Sequence, residues 1–151
     1  MSEMWIEKID VIITNIYLFW GTLQDVRRKK ISDHYLLTGG LAGIFFKIVS
    51  LLKGQLEVRQ WVIAFLPGIL FLVVAKITKE KIGMGDGLLL LILGNSMKLM
   101  EIYMLLQMAI IIVAAAALIM ICGKKVSGDY QIPFLPFLWL SHILLWRLGY
   151  V

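Results

Sequence analysis

Two carboxylates stand where a carboxylate is hard to explain. Asp25 closes an apolar stretch in GTLQDVRRKKISD, and Asp86 opens another in IGMGDGLLLLILG. If two such acids come within a few ångströms, like-charge repulsion raises one pKa and the pair holds a single proton near neutral pH. One member then deprotonates a water while the other protonates a scissile carbonyl oxygen. That is aspartyl protease chemistry, and its titration belongs to the pair rather than to either acid. Each acid also has a plain structural reading. Asp before a helix is a favoured N-cap, worth about 1 kcal/mol, with Gly83 and Gly85 making the turn. Asp25, opposed by the macrodipole at a helix C-terminus, is explained if it is a solvated acid neutralised by Arg27 and Arg28.

The remaining polar residues point to less. His34 and His142 have no Cys, Asp or His partner at ligand spacing, so each reads as a capping or packing residue, and neither a metal nor a cofactor is expected. Cys122 is the single cysteine; it can build neither an internal disulfide nor a structural zinc site. Asn15 lies mid-segment, where an amide can hydrogen-bond across a bundle. Asp129 reads as loop, and Glu7 and Asp10 suit a helix N-terminus.

The elements that must position the two acids follow from composition. The chain has 151 residues, 60% of them hydrophobic, and a mean hydropathy of +0.87, too apolar for an ordinary soluble domain. Apolar runs fall at about Ile6 to Leu23, Tyr35 to Leu52, Gln60 to Ile77, Gly87 to Met97, Leu99 to Cys122 and Phe134 to Tyr150. A spanning helix needs about 20 apolar residues, so the expected fold is an all-α, polytopic membrane bundle of about six segments, with the fourth too short to cross straight through. One membrane-embedded domain over residues 1–151 is expected. The N-terminus lacks the basic start and small-residue cleavage site of a signal peptide, so the first segment stays as a helix.

The net charge of +5 comes from short basic clusters flanking apolar runs, which reads as membrane orientation and not as nucleic-acid binding. Arg27, Arg28, Lys29, Lys30, Lys76, Lys79, Lys81, Lys124 and Lys125 fall in one set of loops; Lys8, Lys53, Arg59, Lys98 and Arg147 fall in the opposite set. The positive-inside rule then places the first, third and fifth loops in the cytoplasm and both termini outside. Asp25 and Asp86 both lie at segment ends on that cytoplasmic face. Gly39, Gly40 and Gly43 allow close helix approach, Pro67-Gly68 predicts a kink in the third segment, and the tryptophans near segment ends fit an interfacial aromatic belt.

Three motifs together resemble a known family. Gly83-Met84-Gly85-Asp86 matches the GxGD motif of intramembrane aspartyl proteases. Asp25-Val26-Arg27 followed by Ile31-Ser32-Asp33 is similar to the D-L-R-x-x-x-I-P-N stretch of type IV prepilin peptidases. Ile132-Pro133-Phe134-Leu135-Pro136-Phe137 is similar to the I-P-F-G-P-F sequence that opens their last span. The resemblance implies that Asp25 and Asp86 are the catalytic pair, with Gly83, Met84, Gly85, Arg27, Pro133, Phe134 and Pro136 as motif or substrate-binding residues. It also implies a prepilin or pseudopilin precursor as substrate, cut between a basic leader and an apolar helix at the cytoplasmic face of a bacterial inner membrane.

The chain departs from the family pattern in three places. Gly87-Leu88-Leu89 stands where a Lys is usual after the GxGD acid, Ser32 where Pro is usual, and Asp33 where Asn is usual, which adds a third acid. The paired-cysteine domain and methyltransferase activity of the long members have no counterpart, so a peptidase alone is expected. The partners expected are the precursor and the bilayer, with oligomerisation left open. A rival reading is a small transporter or assembly subunit in which Asp86 serves as a proton or cation site. Against it, both acids sit at segment ends, whereas a relay needs polar groups through the full thickness.

Overall fold

The computed structural model describes residues 2–28, 31–52, 57–78, 83–123 and 133–150. The structure is all-α, with no strand among the described residues: α1 (Ser2–Arg28), α2 (Asp33–Leu52), α3 (Val58–Ala64), α4 (Leu66–Ile77), α5 (Met84–Ser96), α6 (Leu99–Cys122) and α7 (Leu135–Leu148). Each apolar run of the sequence carries one helix, except the third, which carries two. The run from Val58 to Ile77 and the helix from Leu99 to Cys122, 20 and 24 residues long, are long and apolar enough to cross a membrane. Large apolar side chains face outward, among them Ile16, Leu41, Phe45, Leu70 and Ile119, all more than half exposed. Such a surface suits a lipid solvent. The loop beyond Gly123, Asp129 included, falls outside the described residues, as do Ile132 and several basic residues of the other loops.

The break in the third run has a local cause. Pro67 cannot donate to the carbonyl of Ile63 four residues earlier, and that carbonyl accepts the Tyr103 hydroxyl at 3.3 Å instead. The helix tightens at Phe65, whose N–H reaches the Val62 carbonyl at 3.2 Å, and resumes as α4 with proline in its first turn, where the missing N–H costs nothing.

Two compact units divide the chain, one of Met1–Lys29 with Leu105–Val151 and one of Lys30–Met104. In the second unit α5 is the core element, packed on α2, α3 and α4. At 13 residues it is about 20 Å long, short of the roughly 30 Å of a bilayer core. Glycines bring it close to its neighbours: a β-carbon on Gly68 would lie 2.6 Å from the Leu91 nitrogen, and one on Gly87 would lie 2.7 Å from Leu72 Cδ2. Asn95, 4% exposed, accepts the Trp61 indole N–H at 3.0 Å, so a polar group within the apolar core of this unit is satisfied.

In the first unit α1 packs on α7. The pair is antiparallel: the end of α1 meets the start of α7 at Asp25 and Leu135, and Phe19 meets Trp139 with ring centroids 5.1 Å apart. Gly149 closes α7 in the left-handed region at φ 78°, with the N–H of Tyr150 returning to the Leu145 carbonyl at 3.0 Å, a conformation that glycine adopts without steric cost.

Candidate active site

Asp25 belongs to the first unit and Asp86 to the second. Asp25 lies two residues past the apolar run of α1, yet it is buried, at 8% exposure. It is therefore not a solvated acid neutralised by its neighbours: Arg27 and Arg28 are exposed, and the Asp25 carboxylate turns the other way. Its Oδ2 accepts the N–H of Leu135 at 3.2 Å, and the N–H of Phe134 also bonds to it. These are among the donors that a helix start leaves without an internal partner. The macrodipole of α1 opposes a negative charge at Asp25, but that of α7 favours one. Pro136 sits in the first turn of α7, where it sets the backbone angle for a helix start. The structure thus brings Pro133, Phe134 and Pro136 into the segment that holds Asp25.

Burial pushes the Asp25 carboxyl above its ordinary value of 3.8, and the N–H groups of Leu135 and Phe134 pull the other way without cancelling it. A raised carboxyl binds its proton more tightly in the folded chain than in the unfolded one. Stability from this group is therefore full below the ordinary value and falls as pH rises through the raised one. Asp25→Asn keeps an acceptor for Leu135 and removes the buried charge. At about pH 7.5 the variant should melt at a higher temperature than the parent in detergent, with the gap closing towards about pH 4. A variant that melts lower at both pH values would show that burial of the charge is not the dominant effect.

Asp86 is not the cap of α5. Gly83 occupies the N-cap position in extended backbone at φ −63° and ψ 128°, and Asp86 lies three residues on, in the first turn, its N–H bonded to the Gly83 carbonyl at 3.1 Å. Its half-buried carboxylate folds back over the cap: a β-carbon on Gly83 would stand 3.1 Å from Asp86 Oδ2. Gly85 packs on the Ile31 side chain, with 3.1 Å between its notional β-carbon and Ile31 Cδ1. Met84 is exposed. The GxGD glycines therefore clear space for the acid's own carboxylate and for Ile31.

The stretch from Asp25 to Asp33 consequently serves two neighbourhoods. Its first half, at Asp25, meets the start of α7; its second half, at Ile31, meets Gly85. Ser32 begins α2, its carbonyl accepting the Leu36 N–H at 3.1 Å, so serine in the usual proline position still starts a helix. Asp33 is exposed in the first turn of α2, an electrostatically favoured place for an acid, and His34 beside it is exposed as well. His142 is fully buried and caps nothing. Sequence reasoning passed over Thr22, buried one helical turn before Asp25, and the backbone of Leu135, which carries no side-chain signal at all.

A model of the type IV leader peptidase family matches residues 12–121. The matched span contains both Asp25 and Asp86 and stops short of Pro133. No curated protein and no solved structure matches the chain. A match that runs from within α1 to within the last turn of α6 and takes in both acid-bearing segments makes this chain a member of the type IV leader peptidase family.

Proposed function

We propose that the chain is a membrane-embedded aspartyl endopeptidase that removes the leader from type IV pilin or pilin-like precursors at the cytoplasmic face of a bacterial inner membrane. Asp25 and Asp86 are its catalytic pair. The observation that carries this reading is Asp25: a carboxyl buried at a helix start, in a chain of a peptidase family. Burial favours the protonated form of Asp25, which makes it the acid. Asp86, in the first turn of α5 where the helix dipole favours an anion, is the base.

In the reaction, Asp86 takes a proton from water as its oxygen bonds to the scissile carbonyl carbon, and Asp25 gives its proton to the carbonyl oxygen. The resulting diol collapses as the amide nitrogen receives the proton held on Asp86 and one hydroxyl returns its proton to Asp25. The C–N bond breaks, and the leader departs with a carboxyl terminus. No methyl transfer is assigned to residues 1–151.

Co-expression with a pilin-like precursor tests this. Leader removal should be visible as a mass shift of the precursor, and Asp33→Asn should leave it within about twofold, since Asp33 is an exposed helix-start acid. A transporter using Asp86 would insert and leave the precursor uncut. Loss of cleavage in Asp33→Asn but not in Asp25→Asn would reassign the pair.

A further inference from the structure

The buried face of α1 carries Val11, Leu18, Thr22 and Asp25, and Asn15 falls on the same stripe. The buried face of α7 carries Leu135, Leu138, Ser141, His142 and Leu145. The pairs Asp25 with Leu135 and Phe19 with Trp139 set an antiparallel register in which facing positions sum to 160 or 158. His142 then lies level with the stretch from Ile16 to Leu18, between Asn15 and Thr22.

Four buried polar atoms along this seam have no hydrogen-bond partner among the described residues: Asn15 Oδ1, Thr22 Oγ1, and both ring nitrogens of His142. Ser141 differs, because its hydroxyl bonds to the Phe137 carbonyl at 2.7 Å. A neutral imidazole has one N–H donor and one lone-pair acceptor, and a threonine hydroxyl is both, so the seam offers donors as well as acceptors. From Asp25, Thr22 is about 4.5 Å along the axis, His142 about 12 Å and Asn15 about 15 Å, at 1.5 Å per residue. The step from Thr22 to His142 is too long for a direct bond and suits a bridging water, which takes two to four polar partners.

We propose that the α1/α7 seam is a water site, a short hydrogen-bonded file held by Asn15, His142 and Thr22 that runs to Asp25. It gives an acid at the edge of an apolar bundle a route for water. The functional half of this inference rests on Asp25 being catalytic; the water file itself does not.

Deuterium exchange at the imidazole C2–H, read by mass spectrometry on the full chain in lipid nanodiscs, tests it. His142 should exchange within about tenfold of exposed His34. Thr22→Val, which removes the hydroxyl at nearly constant shape, should slow His142 at least about tenfold, and Thr22→Ser should restore it. Protection of His142 in the parent, or exchange indifferent to Thr22→Val, overturns the water file. Because the readout is solvent exchange, it is independent of precursor cleavage: a protected His142 in a protein that still cleaves sinks the file and leaves the peptidase reading intact.

Discussion

Asp25→Asn and Asp86→Asn will each lower kcat/KM for leader removal by at least about 10²-fold, the lower bound for loss of a positioned acid or base, and the double variant will fall little further. Non-additivity is the sharper half of this expectation. Two carboxyls that pass one proton between them act as a unit, so removing either disables the other, and losses do not sum. Two acids acting independently would multiply their defects, and a merely structural acid would lose activity in step with loss of folded protein. The measurement is cleavage of a purified precursor by detergent-solubilised enzyme, alongside a melting curve for each variant. Asp25→Asn offers the clearest separation, because the burial of its charge predicts a protein that is more stable at neutral pH and yet inactive. Functional sites commonly trade stability for chemistry in this way. If either single variant keeps more than about a tenth of the parent activity, the catalytic pair is wrong.

The route from sequence to this arrangement was uneven for physical reasons. Among the described residues each apolar run bounded by charge or glycine is helical, the third as two helices, because lipid or a packed core demands a satisfied backbone. The kink was visible in Pro67, but the break falls at Phe65, since a proline disturbs the turn before it. Asp86 looked like a cap because aspartate prefers that position; Gly83 takes it instead, and the acid moves into the first turn with its carboxylate over a residue that has no side chain. What holds Asp25 could not be read at all. Its donors are backbone N–H groups some 110 positions away, and any residue except proline supplies one. Pro136 marks the helix start at which those donors lie. Tertiary neighbours also escape periodicity: nothing in LGNSM points to the Trp61 indole that donates to Asn95.

Glycine contacts around α5 yield the other large effect, and they rank by what a new β-carbon would strike. Gly94→Ala should be the most damaging, because its β-carbon would land on the backbone carbonyl of Ala64, a buried residue at the break between α3 and α4. A carbonyl there cannot swing aside as a side chain can. Gly68→Ala comes next, at 2.6 Å from the Leu91 nitrogen. Gly43→Ala meets Asn95 Nδ2 and Ser96 Oγ at 2.6 Å; both can rotate, although Asn95 is tied to Trp61. Gly40→Ala meets only Ile92 Cγ1 at 3.9 Å, an ordinary contact, so the helix propensity gained, up to about 1 kcal/mol, should leave it neutral or slightly stabilised. Overpacking costs typically about 1–3 kcal/mol, and Gly94→Ala and Gly68→Ala should reach the upper end in detergent unfolding. Gly94 is eight residues from Asp86 on the same helix, about 12 Å along it, so displacing α5 from the break also shifts the acid's mount. Cleavage by Gly94→Ala should therefore fall even at temperatures where the variant remains folded, whereas Gly40→Ala should cleave as the parent does. Equal tolerance of alanine at Gly94 and Gly40 would show that the close approach of α5 to the α3–α4 break is not what holds this unit together.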